Sequence, residues 1–224
     1  MRPKLPSTLL PGKPQSFPDP TAAARDGLVA IGGDFSVARL LLAYRSGIFP
    51  WTIRPITWWS PDPRAIFELA RFHVPRSLAK IIRRQPFEIT RDRAFPEVME
   101  GCAQSPRGGE ATWVTPEFIA AYTRLHELGH AHSVECWQDG GLVGGIYGVS
   151  QGGFFAGESM FHRTDDASKV ALCQLVEHLR TRGFALFDIQ MVTPATQPFH
   201  PVEIPRAEYL KRLRAAVSLD CTFV

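Results

Sequence analysis

Residues 125–161 read LHELGHAHSVECWQDGGLVGGIYGVSQGGFFAGESMF, and their hydrophobic period changes part-way. That change decides the fold. Up to Gly129 the spacing is helical: Thr115 and Pro116 open a helix that turns Phe118, Tyr122 and Leu125 towards a core. From Ala131 onward the period is two, with His132, Val134 and Cys136 alternating as in a strand. QDGG is a hairpin turn, LVGGIYGVS a second strand, QGG a second turn and FFAGESMF a third strand.

Downstream, Asp166 or Ser168 is placed to cap a long helix. Its Leu172, Leu175, Val176 and Leu179 repeat at i, i+3, i+4, i+7, and Gly183 ends it. ALFDIQM then reads as a strand and PRAEYLKRLRAAV as a last helix. Strand, strand, strand, helix, strand, helix predicts a mixed α/β domain around an antiparallel meander with a β-α-β crossover.

Upstream, residues 1–20 are Pro-rich and predicted irregular. Asp34 or Ser36 can cap a helix through the leucines that follow, which Gly47 ends. ITWWSPDPRAIFEL is extended and broken by Pro61 and Pro63. A basic helix near Ser77–Arg84, a strand near Phe87–Thr90 and a helix near Pro96–Gln104 follow, and SPRGGEAT is a loop.

The chain of 224 residues is 45% apolar and 21% charged, as for a protein that buries a real core. No apolar run approaches the roughly 20 residues that span a bilayer. The Pro-interrupted N-terminal stretch lacks the apolar segment of a signal peptide. Cys102, Cys136, Cys173 and Cys221 are scattered, which predicts reduced cysteines in a cytoplasmic protein. The net charge is +3, yet Arg71–Arg93 holds seven basic residues against Glu88 and Asp92. Charge alone favours a solvated helix face over a phosphate-binding surface.

HELGH, residues 126–130, matches the H-E-x-x-H zinc pattern. That chemistry needs both histidines on one helical face and a further ligand. Here the helix is expected to end at Gly129, leaving His130 beyond it, and AHSVECWQDGG supplies no continuation. The expectation is structural histidines and no metal.

Glu158 in GGFFAGESMF and Asp188 with Gln190 in LFDIQ place polar groups on apolar strands; the spacing of two puts Asp188 and Gln190 on one face. Each alone has a structural reading, such as a helix cap, an ion pair of Glu158 with Arg163 or Lys169, or a satisfied buried acid. Together with FPDPTAAARDGLVAIGGDFSVARLLLAYRSGIFPW, WWSPDPR, WVTPEFIAAYTRLHELGHAHSVECW, LVGGIYG, GESMF, DASKVAL and IPRAEYL, they resemble the leucyl/phenylalanyl-tRNA–protein transferases over about Phe17–Leu213. The family carries LHExGxAHSVE at HELGH, so His130 completes the zinc pattern by coincidence.

The resemblance implies an α+β fold: a small N-terminal α/β domain, 1–64, and an acetyltransferase-like (GNAT) C-terminal domain with a mixed sheet, 65–224. It implies transfer of leucine or phenylalanine from aminoacyl-tRNA to the N-terminal Arg or Lys of an acceptor protein, marking it for degradation. No cofactor is implied, and a monomer away from membranes is expected. Carried over by residue, Gln190 and Asp188 position and deprotonate the attacking amine, and Glu158 holds a substrate amino group. Ile146, Phe155, Leu172, Leu175 and Phe187 wall the pocket for the donated side chain. Trp51 and Trp113 lie near the terminal adenosine. Arg76, Lys80, Arg83 and Arg84 follow the tRNA backbone.

The sequence departs from the family after LFDIQ, where MVTPATQPFHPVE replaces a stretch ending H-x-x-S-L-G-A. Altered acceptor or donor specificity is therefore the alternative, with a zinc peptidase behind it. The junction GESMFHRTDDAS has two acids and no phosphate-cradling glycines, which argues against an acyl-CoA enzyme.

Overall fold

Two sheets share the chain. The computed structural model describes residues 6–12, 16–105 and 114–224. The first sheet is built from β1 (Ser7–Leu9), β2 (Leu28–Gly32), β3 (Phe49–Ile53) and β4 (Ile56–Trp59), in the order β1-β2-β4-β3. Helix α1 (Val37–Arg45) joins its two halves. Asp34 accepts the Ser36 amide at 3.0 Å, and Gly47 at φ +77° lets the chain turn out of the helix. The Pro-rich start is not wholly irregular, against expectation: Ser7–Leu9 pairs in parallel with Ala30–Gly32. That pairing is non-local, so no local period announces it.

The second sheet runs β11-β5-β10-β9-β8-β7-β6. Its strands are β5 (Arg64–Phe67), β6 (Glu88–Arg91), β7 (Ala131–Gln138), β8 (Gly141–Gln151), β9 (Phe154–His162), β10 (Leu186–Gln190) and β11 (Val202–Ile204). The predicted meander is β7–β8–β9, antiparallel throughout, and β10 lies parallel to β9 after the crossover helix α5 (Ala167–Thr181). This is the expected mixed sheet. Gly144 lets α5 sit close on β8, since a Cβ there would fall 2.5 Å from that of Ala167.

Helix α2 (Arg76–Arg84) packs beside α5, while α3 (Phe95–Gln104), α4 (Pro116–Glu127) and α6 (Arg206–Val217) share one buried apolar cluster with α1 and the first sheet. α4 begins as expected, with Thr115 accepting the Phe118 amide at 3.5 Å and Phe118, Tyr122 and Leu125 buried. It ends in a Schellman pattern: Gly129 has φ +75°, and the Gly129 and His130 amides donate to His126 and Leu125 carbonyls at 2.8 and 2.9 Å. His130 therefore lies past the helix.

The expected cap of α5 is not made. Asp166 occupies the N-cap position at φ +64° but gives its carboxylate to Lys169 at 2.7 Å, and Ser168 meets His162 Nδ1 at 3.3 Å. The four cysteines are free thiols.

Candidate active site

The polar groups of β9 and β10 converge where these parallel strands lie side by side. Gln190 ends β10 with φ +57°, and the register against β5 shifts between Asp188 and Gln190. This bulge interrupts the alternation expected to hold both side chains on one face. Asp188 meets Arg64 and Tyr209, whereas Gln190 reaches Glu158.

Asp188 is fully buried and accepts from four donors. Arg64 Nε and Nη2 bond its two oxygens at 2.9 and 2.6 Å, Tyr209 donates at 2.8 Å, and the Gln190 amide donates at 2.9 Å. Arg64 is equally buried; its Nη1 donates to the Gly47 carbonyl at 3.2 Å, and its guanidinium lies over Phe49 at 4.8 Å and Tyr209 at 4.5 Å. Burial alone would lower the Arg64 pKa, but the charge of Asp188 more than offsets it and holds the guanidinium firmly protonated. A bidentate pair with its remaining lone pairs occupied is a structural anchor.

Glu158 has no such partner. It sits half-buried on β9, and Gln190 Nε2 donates to its Oε1 at 3.1 Å. Neither Arg163 nor Lys169 pairs with it: Arg163 reaches the Leu142 carbonyl and Lys169 reaches Asp166. Burial pushes the Glu158 carboxyl up to about 8; a hydrogen bond from Tyr44 and the charge of Arg64 act downward, and Asp188 acts upward. Behind it Tyr44 of α1 and Tyr122 of α4 touch hydroxyl to hydroxyl, both fully buried, and burial with the Glu158 charge holds both phenols protonated.

No local pattern marks Arg64, Tyr209 or Tyr44 for a role, and the helical period places Tyr122 in the core. The signal lay in WWSPDPR and IPRAEYL, yet Arg64 and Asp188 are 124 residues apart, and no spacing rule connects them.

The five residues expected to wall the donor pocket are brought together. Ile146, Phe155, Leu172, Leu175 and Phe187 share one buried cluster, with Ile146 the most exposed at 5%. Trp51 is half-buried and packs on Trp59 at 5.6 Å and Phe49 at 6.1 Å, which links it to Arg64. Trp113 lies outside the described residues. Arg76, Lys80, Arg83 and Arg84 are all exposed on α2, while Leu78, Ile81 and Ile82 pack inward. Among the described residues none of the four basic side chains forms an ion pair.

The zinc-like histidines have other partners. His126 stacks on Phe95 at 4.4 Å and meets the Ala131 carbonyl at 2.8 Å, and His132 Nδ1 donates to Asp92 at 2.8 Å. Among the described residues no group of three or more His, Cys, Asp or Glu is arranged to hold a metal, and no helix is long and apolar enough to cross a membrane. In the altered loop Phe199 is buried against Phe72 at 5.3 Å, and His200 stacks on His73 at 4.2 Å.

A half-buried carboxyl beside a carboxamide, in a chain that also carries a packed apolar cluster and an exposed basic helix, suits a transferase acting on an apolar group carried by a polyanion. The comparisons agree. The family model described as leucyl/phenylalanyl-tRNA protein transferase matches residues 66–214, and that of its N-terminal domain matches residues 33–62. A leucyl/phenylalanyl-tRNA–protein transferase of Nitratidesulfovibrio vulgaris (strain DP4) is 53% identical over 211 residues, 93% of this chain and 90% of the relative. One from Anaeromyxobacter sp. (strain K) is 50% identical over 216 residues, 95% and 92%. One from Citrobacter koseri is 50% identical over 202 residues, 88% and 86%. The chain belongs to the leucyl/phenylalanyl-tRNA–protein transferase family. Among solved structures, L-PGS from Bacillus licheniformis is 10% identical and covers 84% of this chain and 63% of that one at a TM-score of 0.44, too loose to bear on the site.

Proposed function

We propose that this chain moves leucine or phenylalanine from aminoacyl-tRNA to the α-amine of an N-terminal Arg or Lys, in the cytoplasm, as a monomer, and so marks the acceptor for degradation. The observation that carries the mechanism is Gln190 bridging a raised-pKa Glu158 and an anchored Asp188.

The donor ester is already activated. The amine nitrogen attacks its carbonyl carbon, the C–N bond forms, the ester C–O bond breaks, and the ribose oxygen takes up a proton. Because Gln190 Nε2 donates to Glu158, its Oε1 is the acceptor that aligns an amine N–H. Asp188 holds Gln190 through its backbone amide and keeps the bulge in place. The role of base expected for the Gln190–Asp188 pair moves to Glu158, because protonating Asp188 would leave Arg64 buried without its partner. A carboxyl near 8 matches the reference pKa of roughly 8 for an α-amine, so Glu158 can hold the amine and receive its proton.

Ile146, Phe155, Leu172, Leu175 and Phe187 admit only an apolar donor side chain, with Trp51 and Trp113 against the terminal adenosine. Arg76, Lys80, Arg83 and Arg84 follow the acceptor-stem phosphates and read shape. The domain division lies near 64/65, supported by the change of sheet between Trp59, where β4 ends, and Arg64, where β5 begins. The altered 191–203 loop borders the acceptor peptide.

The test is transfer of radiolabelled leucine from leucyl-tRNA to peptides beginning with Arg, Lys, Asp, Glu or Ala, with and without a chelator. Label on the Arg and Lys peptides alone, indifferent to chelator, is expected. Label on Asp or Glu peptides would reassign the acceptor to the altered loop. No transfer from leucyl- or phenylalanyl-tRNA would overturn the function.

A further inference from the structure

The segment after α6, residues 219–224, runs back across the second sheet and buries one aromatic ring. Phe223 is 3% exposed. Its ring stacks on His132 at 4.2 Å and 14°, meets His178 edge-on at 4.5 Å, and lies against Phe155 at 5.7 Å and 27°. The backbone around it is pinned: His178 Nε2 donates to the Phe223 carbonyl at 2.7 Å. Arg182 Nε and Nη2 donate to the Thr222 carbonyl and hydroxyl at 2.9 and 2.8 Å, and Nη2 also reaches the Val224 oxygen.

Phe155 is a wall of the donor pocket, and its other neighbours are stiff. Phe187 belongs to β10 and meets it at 5.7 Å, and Phe184 precedes that strand at 6.4 Å. At Gly148 of β8 a Cβ would fall 2.4 Å from the Phe155 ring, so backbone closes that side. Phe184 also lies outside helix and strand, but in the short link between α5 and β10, where its amide donates to the Leu179 carbonyl at 2.9 Å; Phe223 comes from the longer irregular segment 218–224. The pocket residues are packed together, so a donated side chain needs the aromatic wall to give way. The wall gives where its support is least regular.

We propose that Phe223 is a specificity-determining positioning residue: it stands behind Phe155 and limits how deep the donor pocket can become, and so sets the balance between leucine and the larger phenylalanine. This rests on Phe155 lining the pocket.

The readout is the ratio of kcat/KM for phenylalanyl-tRNA over leucyl-tRNA. A loss of folded enzyme lowers both constants alike and leaves this ratio unmoved. Phe223→Ala is expected to raise it about fivefold or more, a modest share of what pocket size can contribute. Phe223→Leu should fall between Ala and wild type. If Phe223→Ala folds poorly, exposed Arg182→Ala loosens the same segment from outside the core and should shift the ratio in the same direction, about twofold. An unchanged ratio in the Phe223 and Arg182 variants, while Phe155→Ala shifts it, overturns the inference and leaves the pocket standing. An unchanged ratio in Phe155→Ala overturns the pocket, and the inference with it.

Discussion

Asp188 and Glu158 sit on neighbouring parallel strands, and their surroundings differ in almost every respect. Asp188 is enclosed by a guanidinium, a phenol and a backbone amide, with no lone pair left for a substrate. Glu158 has a carboxamide and a tyrosine pair but no cation paired directly with it, and its proton is held up to about 8. Burial without a countercharge makes a carboxyl reactive near neutral pH, and burial with one makes it a fastening. Three groups separate the two roles: Tyr209 comes from α6, the next helix, whereas Arg64 of β5 and Tyr44 of α1 come from far away in sequence.

The contrast can be broken from either side. The largest effect is expected at the anchor. Asp188→Asn leaves Arg64 buried and uncompensated and should cost about 3–5 kcal/mol of stability, read from the denaturant midpoint. A loss below about 1 kcal/mol would mean that Arg64 finds another partner. At the reactive carboxyl, Glu158→Gln keeps the shape and removes the base. Single-turnover transfer should fall about 10²–10³-fold while the aminoacyl-tRNA Kd changes little. Away from both carboxyls, reversing charge at Arg83 and Arg84 should weaken tRNA binding about tenfold and flatten the salt dependence by roughly two phosphate contacts. An unchanged affinity across the salt titration would return α2 to a plain solvated face.

A further effect separates stability from activity. Glu158 is raised from an ordinary 4.5 to about 8 on folding. Its contribution is complete below 4.5 and is lost as pH rises through 8. Glu158→Gln should therefore be no more stable than wild type near pH 4 but more stable at pH 9, on the order of 2 kcal/mol, since water still reaches part of the carboxyl. A variant that gains stability as it loses transfer would identify Glu158 as strained for function.

The meander, α4, α5, β10 and α6 were legible in the sequence because each has a local period or a local stop, as Gly129 does for α4. β1 and β11 were not, being three residues each and defined by distant partners. Glu158, Asp188 and Gln190 stood out as polar groups on apolar strands. Their separation into anchor and reactive group did not, because it depends on Arg64 arriving at Asp188 alone. The single-residue bulge at Gln190 was invisible too, for no glycine marks it.

The division between anchor and reactive carboxyl turns on the proton affinity of Glu158. The direct measurement is a ¹³C-carboxyl NMR titration of the enzyme, with the Glu158 signal assigned by its loss in Glu158→Gln. A midpoint near 8 is predicted. A midpoint between 4 and 5, in the ordinary range of an exposed glutamate, would contradict this and leave Glu158 an ionised but weak base, poorly matched to the amine.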